Sequence, residues 1–297
     1  MFKIKVPYSL NSDVKGFEFI STIYPNVLSQ SEKEATIDFS RCFSIDANLA
    51  AALGAILDKL VEDGYKIWLT RPSERKVRTV LSRNHFLRAW GVDTNTEDRE
   101  NYVEYHRFHN KDSLTFKQYI DSGLIHKQKF PEHTELVGNL ITENIYEIYA
   151  NAIMHGETEY VYSCGEYKEN ERTLEMTIVD CGRTIPGNVN TFFSKKGLPS
   201  VSPCEAIRWA FVSGNTTKEQ TGGLGLAILK DFISMNSGSI QVISGKGMIE
   251  YHGDKVEQFL LNVEFPGTIV NMKFNFDDPK RYFMESEKEN INLNDLL

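Results

Sequence analysis

Apolar and polar positions change period several times along the 297-residue chain, and each change marks an element. Residues 2–6 and 35–39 alternate apolar with polar side chains, the two-residue period of a strand with one covered face. Residues 45–61 switch to a helical period, with Asp46 placed as N-cap and Leu49, Leu53, Ile56, Leu57 and Leu60 on one face. A third strand is predicted at 65–69 and a helix over 76–90. Such alternation favours an α/β layer. Residues 91–101 are polar and acidic without an apolar period, which reads as a linker or an exposed loop. Residues 103–130 are rich in His and aromatic side chains and follow no single period.

A long helix returns over 134–156, where Val137, Ile141, Ile145, Ile148 and Ala152 form one stripe. Two strands follow, at 160–165 and 173–179, then an irregular stretch at 183–202. Short helices are predicted near 205–212 and 224–235, and strands at 238–244, 259–263 and 269–276. This order suits a mostly antiparallel sheet with helices on one face, not a doubly wound parallel sheet. The expected domains are an α/β layer at 1–92, a connection at 93–132, a second α/β domain at 133–276 and a mobile charged tail at 277–297.

Composition narrows the classes. At 41% hydrophobic and 25% charged the chain can bury proper cores, and a net charge of −8 argues against coating a nucleic acid. Cys42, Cys164, Cys181 and Cys204 show no C-x-x-C spacing, so neither a zinc site nor a disulfide framework is expected. Free thiols, the lack of a signal-peptide pattern at the start and the lack of any run of about 18 apolar residues lead to the expectation of a cytoplasmic protein outside the membrane.

Three stretches carry candidate chemistry. Glu147, Asn151 and His155 stand four residues apart, so on a helix they drift by only about 40° per step and form one polar line beside the apolar stripe. An amide oxygen such as that of Asn151 suits magnesium, and a carboxylate one turn away can polarise a water or hydroxyl. A solvated helix face has the same spacing. Asp180 ends a strand and is followed by Cys181 and Gly182, an arrangement that can accept a hydrogen bond from an exocyclic amine while the glycine admits a flat base. A plain turn after a strand would use the same residues. The run Thr221-Gly222-Gly223-Leu224-Gly225-Leu226 opens a helix, where free N–H groups meet phosphates, although it is neither a Walker loop nor a Rossmann fingerprint. Upstream, Thr216, Thr217 and Lys218 offer hydroxyls and a cation to a triphosphate; a flexible surface loop is the alternative.

Together these stretches resemble the GHKL (histidine kinase-like) ATPase domain of gyrase, heat-shock chaperones, histidine kinases and mismatch-repair proteins, over about 134–276. Glu147 to His155 matches the family's E-x-x-x-N-A-x-x-H box, which implies Asn151 as magnesium ligand and Glu147 as base. Asp180-Cys181-Gly182, with Ile185 and Pro186 at its end, resembles the first glycine box and implies an adenine contact by Asp180. Gly223-Leu224-Gly225-Leu226 resembles the second box under the phosphates, and Gly267-Thr268 the late Gly-Thr that supports the base. Residues 187–221 would then be an ATP lid. Thr184 and Thr221 replace family glycines.

The front part resembles a STAS domain through Ala35-Thr36-Ile37-Asp38-Phe39-Ser40 and Phe43-Ser44-Ile45-Asp46, but Ala47 stands where that family's switch serine would be. The resemblance implies a Mg-ATP-dependent signalling switch with slow hydrolysis and a regulatory protein partner, with homodimerisation left open. An anti-sigma-type serine kinase and a non-catalytic nucleotide sensor are the alternatives. A histidine autokinase is disfavoured because neither His126 nor His133 lies in an H-E or H-D context.

Overall fold

A computed structural model describes residues 2–92, 102–127, 130–217 and 225–290. In chain order the front part forms β1 (Phe2–Lys5), β2 (Ser9–Leu10), α1 (Val14–Leu28), β3 (Glu34–Asp38), β4 (Ser44–Ile45), α2 (Leu49–Glu62), β5 (Lys66–Leu69), α3 (Arg75–Arg83) and α4 (Phe86–Ala89). Strands β1, β3 and β5 pair in parallel, Ile4 beside Ile37 and Ile37 beside Leu69. Helix α1, for which the sequence reading assigned nothing, starts where the Asp13 carboxylate accepts the Gly16 N–H at 2.8 Å, and buries Phe17, Ile20, Ile23 and Val27. The expected helix at 76–90 is two helices, because His85 takes a left-handed conformation (φ 66°) between them.

The rest of the chain forms β6 (Tyr102–His109), α5 (Ser113–Ile120), a π-helical turn (Asp121–Ile125), α6 (Glu135–Met154), β7 (Tyr160–Lys168), β8 (Thr173–Asp180), α7 (Ile185–Lys195), α8 (Pro203–Ala210), α9 (Gly225–Met235), β9 (Ser239–His252) and β10 (Lys255–Asn275). The large sheet is antiparallel in the order β6-β7-β8-β10-β9. Segment 93–132 is therefore more than a connection: its described part supplies the edge strand β6 and the helix α5, while 93–101 lies outside the described residues. The three strands expected after residue 238 are two long ones, joined at Gly253 and irregular in register near Phe265.

Helices cover both faces of this sheet, not one as expected. On one face Ile141, Ile145 and Ile148 of α6 and Leu229, Phe232 and Ile233 of α9 share a core with Met176, Ile178, Val242, Val270 and Met272. On the other, Phe17 and Ile20 of α1 and Leu53 and Ile56 of α2 share a core with Val179, Ile243 and Ile269. Each such side chain contributes about 1.5–3 kcal/mol when fully buried, so the front layer and the sheet hold each other. Strand β8 is consequently buried along its whole length, although its sequence alternates polar with apolar residues.

Two of the polar residues of that alternation, Thr177 and Glu175, meet polar partners of the front layer or the neighbouring strand, whereas the buried Thr173 hydroxyl has no hydrogen-bond partner among the described residues. The Asn48 amide, fully buried, donates to Thr177 Oγ1 and to Asn271 Oδ1, both at 3.0 Å, and Asn271 donates to Gln241 Oε1 at 2.9 Å. Lys168 bridges Asp46 at 2.9 Å and Glu175 at 3.0 Å. Asp46 thus does not cap α2 as expected. It accepts the Ser12 N–H at 2.7 Å, and the helix begins after Asn48. Burial pushes the neighbouring Glu166 carboxyl up to about 7, against the lowering effect of the Ala47 N–H and of Lys168.

The charged end of the chain is anchored in its described part. The Thr134 N–H donates to the Tyr282 carbonyl at 2.9 Å, the Thr134 hydroxyl to Glu287 at 2.8 Å, and the Tyr282 ring packs on Phe232 with centroids 5.0 Å apart. Segment 277–290 is a strap across the start of α6, not a free tail.

Because Asn48 links both layers, Asn48→Ala leaves buried acceptors without their donor. We expect it to lower unfolding free energy by about 2–3 kcal/mol. Urea denaturation followed by circular dichroism measures this, and a loss below about 0.5 kcal/mol would show the network to be dispensable.

Candidate functional site

Helix α6 begins where Thr134 accepts the Val137 N–H, and its stripe of Val137, Ile141, Ile145, Ile148 and Ala152 is buried against the sheet. That burial fixes the helix rotation. Glu147, Asn151 and His155 are then turned to the flank, where they line a cavity of about 390 Å³. Strand β8 ends at the same cavity with Asp180, and the antiparallel register sets Thr268 of β10 directly opposite it. Ile185, Thr216, Thr217 and Leu226 complete the set of anticipated residues on this wall. Gly182 stands just behind it, and Gly225 is the first residue of α9. Lys218, Gly222, Gly223 and Leu224 lie outside the described residues.

Asp180 is the electrostatic centre of the site. Its side chain is buried, and desolvation pushes the carboxyl up to about 7 although the Gly182 N–H donates to Oδ1 at 2.9 Å and lowers it. Oδ1 is thus engaged within the turn, and among the described residues no hydrogen bond reaches Oδ2. The glycine has a steric reason different from the expected approach of a base. A Cβ at Gly182 would stand 2.1 Å from the Gly156 carbonyl oxygen, so the turn presses on the end of α6. Gly267 (φ 156°) passes Asp180 just as closely, a Cβ there meeting the Asp180 carbonyl oxygen at 2.0 Å. Thr268 bonds Ser244 at 2.9 Å, and Ser244 accepts the Ile185 N–H at 2.8 Å, tying three segments of the wall together.

The stretch expected to be irregular over 183–202 contains α7. Thr184, which replaces a glycine of the resembled box, is its N-cap and accepts the Gly187 N–H at 3.1 Å, with Pro186 in the first turn. The Asn188 amide on this helix donates to the His155 carbonyl at 2.8 Å and so closes the end of α6. His155 Nδ1 lies 3.1 Å from Thr217 Oγ1. Arg183, in the stretch read as part of the pocket, lies on the cavity wall, whereas sequence reasoning missed Asn188, Val189 and Trp209 there. A threonine followed two residues later by proline was a readable helix start and would have placed Asn188 and Val189. Nothing in the sequence pointed to Trp209, which α8 wedges beside Phe192 and Phe193 at ring distances of 5.8 and 5.6 Å.

The lining divides by chemistry. Ile148, Ala152, Ile178, Ile185, Val189 and Val270 are its apolar members and stand with Asp180 in the wall, whereas Glu147, Asn151, Thr216 and Thr217 are polar. Among the described residues no cluster of three or more His, Cys, Asp or Glu is placed to hold a metal ion. One carboxylate and one amide suit a hard cation that takes most of its ligands from water and phosphate.

The raised Asp180 carboxyl has a signed consequence. A group whose folded pKa lies above its unfolded value of about 3.9 favours the fold below that value and loses this contribution as pH rises through about 7. We expect Asp180→Asn to gain stability relative to the parent between pH 5 and pH 8, by up to a few kcal/mol. Urea titrations of both proteins at the two pH values test this, and a difference independent of pH would place the carboxyl in water.

Comparison of the chain with protein-family models, with curated proteins and with solved structures finds no match to any of them.

Proposed function

We propose that the cavity binds an adenine nucleotide with magnesium, and that the protein is a regulatory switch of the GHKL type with a STAS-like layer in front. The observation that carries this reading is Asp180: a buried carboxyl among mostly apolar lining residues, with one oxygen held by Gly182 and no hydrogen bond to the other among the described residues. A single remaining acceptor suits the lone exocyclic amine of adenine better than the adjacent pair of donors on guanine. The size of the cavity, about 390 Å³, is in the range of small-molecule sites.

Among the polar members, Asn151 would hold the magnesium and Glu147 would draw a proton from an attacking water or hydroxyl. Magnesium, when bound, neutralises charge on the phosphates. The residues of this chain orient and exclude: Ile148, Ile185 and Val189 keep water from the base, and Trp209 and Thr217 close the side under α8. In the front layer Ala47 is fully buried and its N–H lies 3.3 Å from Glu166, which supports a layer without a phosphoserine switch. The described cysteines are all free, consistent with a cytoplasmic setting.

Calorimetry with ATP, with and without magnesium, tests the reading. We expect Asp180→Ala to weaken binding about 10- to 100-fold, the worth of a hydrogen bond to a charged group, and Asn151→Ala to remove the dependence on magnesium. Affinity should also fall as pH drops below about 7, because the amine is accepted by the ionised carboxyl. Phosphate release lost in Glu147→Ala but with ATP still bound would assign the base. GTP bound as tightly as ATP, or ATP binding unchanged in Asp180→Ala, would overturn the assignment.

A further inference from the structure

A second concavity, of about 520 Å³, is lined by Glu205, Arg208, Trp209, Phe211, Val212, Lys230, Tyr251 and Val256. Among the described residues it shares Trp209 alone with the cavity described above. Its floor is the Tyr251 ring, 9% exposed, which packs on Phe211 with centroids 4.7 Å apart. Two apolar side chains stand on its rim in water: Val212 is 54% and Val256 44% exposed. Val256 pairs with Tyr251 across the β9–β10 hairpin, so rim and floor are fixed to one another.

Two cations enter this groove from different helices. Arg208 comes from α8 and Lys230 from α9, the latter 5.7 Å from the centre of the Tyr251 ring. Among the described residues of the lining the one acid is Glu205, whose carboxylate accepts the Ser202 N–H at 2.8 Å in the capping box that starts α8 and also feels the charge of Arg208. Lys230 also reaches Asp231 at 3.4 Å, an exposed pair of the kind worth less than about 1 kcal/mol. A carboxylate brought into the groove would compete on better terms, since it would lie against the Tyr251 and Phe211 rings with less water around it.

We propose that this groove docks an acidic segment of a partner protein, one carrying a carboxylate for Arg208 and Lys230 next to an apolar or aromatic side chain for the valine rim. Charge complementarity favours an acidic occupant, because the described residues of the lining include two cations and one engaged acid on a chain whose net charge is −8. The rim favours a peptide over a small anion. A small anion would satisfy the cations yet leave Val212 and Val256 in water, whereas a peptide covers both. The proposal does not depend on the nucleotide reading, since among the described residues Trp209 alone is common to both sites.

The test is a selection of random twelve-residue peptides displayed on phage, run on the full chain without nucleotide. It is repeated on the Arg208→Glu/Lys230→Glu variant, with circular dichroism and the melting temperature confirming that the variant folds. We expect peptides enriched only on the parent chain to pair Asp or Glu with Leu, Phe or Trp. A synthetic copy should shift the Trp209 emission, a shift lost in Trp209→Phe, and bind at least about tenfold more weakly to either single charge reversal and to Val256→Asp. Three results would overturn the proposal: no enrichment on the parent over the variant, enrichment of neutral or basic peptides, or self-association of the full chain that the double reversal abolishes.

Discussion

The burial of β8 on both faces holds the cavity in place. This strand lies between β7 and β10 in the sheet and between α6 and α2 across it, so Asp180 at its end has little freedom to move. Removing water from both faces strengthens every hydrogen bond in the strand's surroundings and makes any unpaired polar group there costly. The chain meets that cost with Asn48, Asn271 and Gln241 on one side. On the other side Asp180 accepts one hydrogen bond among the described residues, from Gly182, and burial pushes its carboxyl up against that bond. The same constraint thus produces a polar network around Asn48 at the back of the strand, with the Thr173 hydroxyl left unpaired among the described residues, and an under-satisfied carboxyl at the front.

Much of this was legible in the sequence because helix period and strand alternation report which side chains are hidden. The stripe on α6 and the polar line of Glu147, Asn151 and His155 follow from spacing alone, and so does Asp180 at a strand end. The alternation of Leu174, Met176 and Ile178 with Thr173, Glu175 and Thr177 was misleading. A polar residue at every second position normally marks a face in water, and here it marks a face covered by another polar surface. Sequence periodicity records the polarity of a face, not what covers it.

Other misses have local causes. Strand β6 escaped notice because Tyr102, Glu104, His106 and their neighbours form an edge packed with aromatic rings, and its partner α5 carries Phe116 and Tyr119 into the same cluster. Helix α1 contains Pro25, which argues against a helix in isolation. Thr184 looked like a damaged glycine turn, yet the structure uses its hydroxyl to start α7 and so to carry Asn188 to the end of α6. A substitution that seems to weaken one motif can supply the first residue of another.

The packing of α1 on β10 joins residues near 20 to residues near 265. Contacts this distant along the chain raise the loop-closure entropy of folding and slow it. During synthesis, Phe17, Ile20 and Ile23 leave the ribosome long before the strand that shields them exists. At ordinary elongation rates of about 5–20 residues per second, that interval lasts on the order of ten seconds or more. Nascent chains must therefore hold the side of α1 that β10 later covers open to water for that time, even after α2 has packed on the helix.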